Sequence, residues 1–290
     1  MRRFIPLVFI APALFLIVLF TFWPVLSTLH LSFLQWNMIS PRARWEGPGN
    51  YLSLLTGREF WLAGYNTLVY TVILLVFNLV LPYLVAYAVT RVPPRRQTPY
   101  KALIFAPGVI SLAVASVIFL WLYNPVLGPV DILLRHLGLG APAWLTGYRT
   151  VIWALSLITT WKLFGYNFIV LLAGLVAVPR ELIQAAQLEG ASGWQIFWHI
   201  IRPQTSATSL YVLVMTVVWG AQYVFVPIQM LTNGGPDYAS TNLVFLIYQY
   251  GFGFFQAGKA AACAVLTLLV FLVLILLQAR VLEKKVYYED

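Results

Sequence analysis

The segment VPRELIQAAQLEGASGWQIFWHIIRPQTS, residues 178–206, separates two long apolar runs and has its own start and stop signals for two short helices. Pro179 suits the first turn of a helix, and Gly190 suits its end. Ser192 and Gln195 form an S-x-x-Q capping box, which predicts that a second helix begins there. Apolar side chains recur along both predicted helices, so we expect a connecting loop whose apolar surface is covered by another molecule.

The composition around this loop is that of a polytopic membrane protein. Of 290 residues, 61% are hydrophobic and 9% are charged, whereas soluble domains carry about 25% charged residues. The net charge is +9, but the basic residues lie in short loops between apolar runs, which favours a membrane topology over nucleic-acid binding. The single cysteine, Cys263, excludes an internal disulfide. The charge-free run from Phe4 to Pro41 is too long for a signal peptide, so we interpret it as an uncleaved first span.

Long apolar runs predict an all-α protein with six transmembrane helices, because about 20 apolar helical residues cross a bilayer. A short amphipathic helix is also expected over Val130–Leu137, in the loop after the third span. We interpret residues 1–290 as a single membrane domain, with a loop at 179–203 between spans four and five. The spans are predicted at about 5–31, 65–90, 100–123, 150–176, 205–231 and 259–281.

The basic residues predict the orientation, since cytoplasmic loops are enriched in lysine and arginine. With both termini in the cytoplasm, the 178–206 segment is cytoplasmic too, and most basic residues fall on that side. The cytoplasmic set is Arg2, Arg3, Arg91, Arg95, Arg96, Lys101, Arg180, Arg202, Arg280, Lys284 and Lys285. The outer set is Arg42, Arg44, Arg58, Arg135 and Arg149.

Within the loop, QAAQLEGASGWQIFWHIIRP resembles the EAA loop of ATP-driven (ABC) importer permeases, with three departures. Gln184 stands where that family has Glu, Glu189 where it has Asp, and Arg202 where it has Leu. The resemblance implies contact between this loop and an ATPase; an amphipathic hairpin lying on lipid headgroups is the alternative. The ATPase-coupling residues that it implies are Gln184, Ala185, Ala186, Glu189, Gly190, Ala191, Phe197, Ile200 and Pro203.

Further segments, such as Gly49-Asn50-Tyr51 and LTNGGPDYAST, are similar to the maltose and glycerol-phosphate branch of these permeases. The resemblance implies a permease subunit of a binding-protein-dependent importer that forms half of a translocation pathway by alternating access. It also implies a second permease subunit, two cytoplasmic ATPase subunits that bind ATP and Mg, an extracytoplasmic binding protein, and a bacterial or archaeal cytoplasmic (inner) membrane. We expect a carbohydrate substrate and no cofactor on this chain. A glycerol-phosphate compound is the alternative substrate, and a stand-alone channel or secondary carrier is the alternative class.

A substrate cavity is predicted on spans four and five. An ionisable residue inside a span, such as Lys162, normally faces a water-filled cavity or a partner. Aromatic rings and hydrogen-bonding groups on the same helix faces suit a sugar. The alternative is that Lys162 is structural, bonded to carbonyls of another helix, or that it extends to the membrane interface. The predicted cavity residues are Lys162, Tyr166, Asn167, Trp219, Gln222 and Tyr223.

Enzymatic sites are not predicted. Gly253-x-x-x-x-Gly258-Lys259 approaches a phosphate-binding loop, but Ala260 stands where Ser or Thr would reach magnesium. Its small residues favour close helix packing instead. No histidine lies near a second ligand at metal-binding spacing, and no serine or cysteine has a base nearby. We therefore expect neither catalytic nor metal-binding residues, which argues against a membrane-embedded enzyme.

Overall fold

The structure is a computed structural model that describes residues 5–282. Helices dominate this part of the chain, and a two-stranded antiparallel ribbon follows the first two of them. The elements are α1 (Ile5–Ile17), α2 (Trp23–Leu31), β1 (Leu34–Gln35), β2 (Arg44–Trp45), α3 (Gly49–Thr56), α4 (Arg58–Leu75), α5 (Leu81–Thr90), α6 (Pro94–Phe105), α7 (Leu112–Leu122), α8 (Pro129–His136), α9 (Val151–Val176), α10 (Arg180–Leu188), α11 (Gly193–Ile196), α12 (Arg202–Gln204), α13 (Ser206–Tyr223), α14 (Phe225–Pro227), α15 (Leu243–Tyr248) and α16 (Ala257–Leu282). π-Helical turns occupy Val18–Phe22, Val76–Val80, Phe197–Ile201, Ile228–Thr232 and Gln249–Gly253.

Five helical stretches are long and apolar enough to cross a membrane, or six if one bent pair is counted, within residues 5–282. The chain is thus a helical, polytopic membrane protein, as predicted. The predicted cytoplasmic position of the termini rests partly on Arg2, Arg3, Lys284 and Lys285, which lie outside the described residues, and it stays a prediction. The five stretches are Phe9–Leu31, Arg58–Thr90, Val151–Val176, Ser206–Thr232 and Ala257–Gln278.

The predicted third span, about 100–123, is not one straight helix. Helices α6 and α7 meet at 96° across a short 3₁₀ turn, Ala106–Val109. Pro107 has no N–H to continue the helical ladder, and Ser111 begins α7 anew by accepting the N–H of Val114 at 3.3 Å. The predicted third span is thus present only as a bent pair, because proline and the new cap together end one helix and start another. The predicted amphipathic helix after this span is confirmed as α8.

The described part of the chain divides into two compact units, residues 5–61 with 243–270, and residues 62–242 with 271–282. In the first unit, the Asn50 amide donates to the carbonyls of Ser32 and Leu34 at 2.9 and 3.0 Å. The N–H of Ala257 donates to the Trp36 carbonyl at 2.9 Å. These bonds join the start of α3 and the start of α16 to the chain around the ribbon.

The second unit contains the apolar core beneath the 178–206 segment. α9 is its most buried span, and Phe168, Leu171 and Leu172 of this helix pack with Ala86 of α5 and Val212 of α13. The prediction of one membrane domain over residues 1–290 stays a prediction.

Candidate coupling loop and translocation surface

The first helix of the loop, α10, ends in a Schellman motif built on Gly190. This glycine is left-handed, with φ +79°. The N–H of Ala191 donates to the carbonyl of Ala186 at 2.9 Å, and the N–H of Gly190 donates to that of Gln187 at 3.1 Å. A Cβ at position 190 would meet no atom within 4 Å, so the need for glycine is purely conformational. The predicted helix end is confirmed.

The second helix of the loop begins at the predicted capping box. Ser192 Oγ accepts the N–H of Gln195 at 3.3 Å, and Gln195 Oε1 accepts the N–H of Ser192 at 2.8 Å. From α11 the chain stays helical through a π turn and α12, with one turn residue at Thr205 before α13. Tyr83 of α5 and Thr205 share a hydroxyl hydrogen bond of 2.7 Å. The loop is therefore fixed to span five directly and to α5 through this contact.

The inner face of the loop packs on its own spans. Ile196 and Ile201 are buried in the core described above. Phe197 lies between two tyrosines of α5, with ring centroids 5.9 Å from Tyr83 and 5.0 Å from Tyr87. Buried apolar contact of this kind holds the loop against spans two and four. The predicted coupling residues that lie on this inner face, partly buried against the core, are Ala186, Ala191, Phe197 and Ile200.

The outer face of the loop exposes apolar and polar side chains together. Leu188 is 91% exposed and Trp194 is 69% exposed. Leu188 was not among the predicted contact residues, and only its place in an amphipathic helix could have indicated it. Pro203 is half-buried beside a recess of about 200 Å³ between the two loop helices. The predicted coupling residues that face outward are Gln184, Ala185, Glu189 and Gly190.

Aromatic side chains of α9 and α13 form a continuous, partly exposed surface. The Tyr166 and Trp219 rings meet edge to face at 5.1 Å, and the Trp219 and Tyr223 ring centroids are 6.1 Å apart. The hydroxyls of Tyr166 and Tyr211 are 3.3 Å apart. Gln222, which precedes Tyr223 in the sequence, is exposed. We call these five residues the aromatic surface. Tyr211 was missed, although it precedes Trp219 by eight residues and so shares its helix face.

Two predicted cavity residues bond to other spans rather than to the aromatic surface. Lys162 Nζ donates to the carbonyl of Gly108 and, at 2.6 Å, to that of Ile110. These carbonyls belong to the break between α6 and α7, where the helical ladder is interrupted. Asn167 is buried, and its amide donates to the Asn78 carbonyl at 2.7 Å. Both residues therefore join spans to one another.

Residues 253–259, which resemble a phosphate-binding loop in sequence, pack against other parts of the chain. A Cβ at Gly258 would lie 1.7 Å from the Leu34 carbonyl oxygen, so the backbones approach too closely for a side chain. Lys259 Nζ lies 4.5 Å from the centroid of the Tyr250 ring. Among the described residues, no group of three or more His, Cys, Asp or Glu could hold a metal ion.

Residues 49–287 match the model of a protein family described as the inner membrane component of binding-protein-dependent transport systems. The chain is 31% identical, over 290 residues, to the sn-glycerol-3-phosphate transport system permease protein UgpA of Brucella abortus, with 99% of this chain and 97% of that protein covered. It is 33% identical, over 282 residues, to the probable ABC transporter permease protein YurN of Bacillus subtilis, with 96% of each covered.

A solved structure shares the fold. It is the bacterial alginate ABC transporter in complex with an alginate pentasaccharide-bound periplasmic protein, with a TM-score of 0.83 at 22% identity, covering 96% of this chain and 94% of that one. The family model covers most of this chain, and its members are transport components rather than enzymes. The chain therefore belongs to the inner membrane components of binding-protein-dependent transport systems, as a permease subunit of an ABC importer.

Proposed function

We propose that this permease subunit forms half of the translocation pathway of a carbohydrate importer and receives its driving force through residues 179–203. The proposal follows from the two faces of the loop. The inner face is fixed in the core of spans two and four, and the outer face presents Leu188, Gln184 and Glu189 to solvent. A rigid, exposed, mixed surface of this kind suits docking into a groove of a partner protein.

The mechanism is alternating access driven by partner subunits. Two cytoplasmic ATPase subunits bind ATP and Mg, and their closure pushes on α10 and the turns after α11. Because the loop joins α9 to α13 with one turn residue at Thr205, the push tilts spans four and five together. The aromatic surface lies on these two spans, so its exposure changes between the two sides of the membrane. Hydrolysis then resets the assembly.

A neutral carbohydrate fits the aromatic surface better than a phosphate ester does. Rings offer flat apolar contact for a sugar ring, and hydroxyl and amide groups offer hydrogen bonds to its hydroxyls. A phosphate needs a cation or several donors. Lys162, one helical turn before Tyr166, already donates to two backbone carbonyls. The glycerol-phosphate compound named for the UgpA relatives is the second candidate substrate.

The assembly contains a second permease subunit and an extracytoplasmic binding protein. None of the apolar window in the first candidate span, Phe9–Leu31, is buried within this chain, which leaves that helix free to pack on another subunit. Both termini and the 178–206 segment lie in the cytoplasm of a bacterial or archaeal cell.

Co-purification and uptake test this proposal together. A tagged chain is isolated from native membranes, its partners are identified by mass spectrometry, and cells take up a panel of labelled sugars and glycerol phosphates. We expect two copies of an ATPase subunit per complex and uptake of a neutral sugar that stops when ATP is depleted. Uptake by the isolated chain without an ATPase would instead indicate a channel or secondary carrier.

A further inference from the structure

An apolar groove of about 660 Å³ lies between α5 and α13, and the second helix of the loop closes one end. It is distinct from the aromatic surface. Leu213 lines the groove, and Tyr211, two residues earlier on α13, belongs to the aromatic surface. Two residues correspond to about 200° around a helix, so Leu213 and Tyr211 lie on opposite sides of α13. The groove and the aromatic surface therefore lie on different faces of this helix. Its apolar lining is Leu79, Val80, Leu84, Trp194, Phe197, Trp198, Leu210 and Leu213.

The groove has the length and polarity of one lipid leaflet. From Arg202 at the loop end to Leu213 the chain rises about 16 Å at 1.5 Å per residue, which is about half of a hydrocarbon core of roughly 30 Å. The charged side chain and the tryptophans Trp194 and Trp198 lie at the loop end, and the leucines lie toward the membrane. This is the order of headgroup, interface and acyl chain along a phospholipid.

The loop end of the groove is cationic. Arg202 is exposed, and its guanidinium lies 4.6 Å from the centroid of the Trp198 ring. No aspartate or glutamate is among the residues that line the groove. A second guanidinium, that of Arg91, stacks on Tyr87 at 4.8 Å and would lie 3.7 Å from a Cβ at Gly193. An arginine beside an apolar groove at a membrane surface favours a phosphate headgroup.

We propose that this groove binds one anionic phospholipid, with its phosphate at Arg202 and an acyl chain along α5 and α13. The volume of the groove, about 660 Å³, falls in the range of a site for one small ligand. Since the EAA loop that this segment resembles has leucine at the position of Arg202, the headgroup contact is a feature of this chain.

Native mass spectrometry of the assembled importer tests the site. The complex is purified in mild detergent, stripped of lipid and titrated with phosphatidylglycerol or phosphatidylcholine, and bound lipid is counted per complex. We expect one saturable phosphatidylglycerol on this subunit, bound about fivefold more weakly after Arg202→Leu. Arg202→Lys keeps the charge and should retain most of the binding, and Ser209→Phe, which fills the groove, should lose it. Arg96→Leu removes an exposed arginine that does not line the groove and serves as the matched control.

Three results would overturn the proposal. Equal affinity for phosphatidylcholine would mean that no headgroup is selected. Unchanged phosphatidylglycerol binding in Arg202→Leu and Ser209→Phe would place the lipid elsewhere. Loss of the ATPase subunit from Arg202→Leu with lipid binding unchanged would assign this arginine to a protein interface. If the Arg202→Leu subunit fails to assemble, two other measurements test the proposal. They are the lipid preference of the wild type and the loss of phosphatidylglycerol binding in Ser209→Phe.

Discussion

Two glycines in this chain are required for different physical reasons. Gly190 adopts φ +79° with no atom within 4 Å of where a Cβ would stand, so only its backbone conformation excludes other residues. Gly258 has an ordinary φ, but a Cβ there would overlap the Leu34 carbonyl oxygen at 1.7 Å. Substitution at Gly190 should therefore alter the loop, whereas substitution at Gly258 should disturb the packing of a whole unit.

Gly190→Ala should lower ATP-dependent uptake about fivefold while membrane insertion stays normal. A side chain in the left-handed region costs roughly 1 kcal/mol, which weakens the break between the two loop helices. Gly190→Asn should retain more uptake because Asn tolerates this conformation, and Gly190→Arg, with added bulk and charge, should retain less. Initial uptake rates at matched membrane levels measure the effect. Gly138→Ala is the control, because Gly138 has φ +72° and open space where a Cβ would stand. An equal loss of uptake in this control would contradict a coupling role for Gly190.

Gly258→Ala should prevent the first unit from packing, because the backbones of α16 and β1 must separate to admit a methyl group. We expect a large loss of monodisperse protein in detergent, measured by fluorescence-detected size exclusion. Gly253→Ala is the matched control, since the nearest atom to its Cβ would be 3.6 Å away. Normal yield of the Gly258→Ala protein would contradict the close approach.

At the scale of elements, the break between α6 and α7 explains why a lysine lies inside a membrane span. Lys162 of α9 donates to the carbonyls of Gly108 and Ile110 that the break leaves without helical partners. The same helix carries Tyr166 one turn later, and α13 supplies Trp219 to meet it. α9 therefore joins the broken span to the aromatic surface.

Lys162→Met should lower the melting temperature of the purified protein by several degrees without changing the substrate concentration for half-maximal uptake. The change leaves two carbonyls without a charged donor, which costs about 2 kcal/mol. Lys162→Arg should recover part of the loss. An unchanged melting temperature together with a raised half-saturation concentration would make Lys162 a substrate contact instead.

Trp219→Ala should reduce uptake about tenfold, because it removes the ring that joins Tyr166 and Tyr223 in the aromatic surface. Trp219→Phe should keep much of the activity. Trp153, half exposed on α9 and about 220° around that helix from Tyr166, provides the control through Trp153→Ala. Equal losses of uptake from Trp153→Ala and Trp219→Ala would mean that the aromatic surface has no specific role in transport.

At the scale of the whole molecule, the sequence predicts features that depend on neighbouring residues, such as helix ends. It does not predict which side chains from distant parts of the chain bond to one another. The helix end at Gly190 and the helix start at Ser192 depend on neighbours within five residues, so both could be predicted. The partners of Lys162 lie more than 50 residues away, at a break that a window of apolar residues cannot reveal. Asn167 was grouped with Tyr166, yet consecutive residues lie about 100° apart on a helix, and Asn167 faces the buried interior.

The most direct test of the coupling loop is a cross-link from Leu188, the most exposed apolar side chain of the loop. The native cysteine, Cys263, is buried, so a Leu188→Cys variant carries one accessible thiol. Leu133→Cys, on the 60% exposed position of α8, is the control. Treatment of native membranes with a short bifunctional thiol-to-amine reagent should join this chain to an ATPase subunit from position 188 and not from position 133. A position 188 thiol that joins no ATPase subunit, or that reacts with a membrane-impermeant reagent added outside intact cells, would contradict the account.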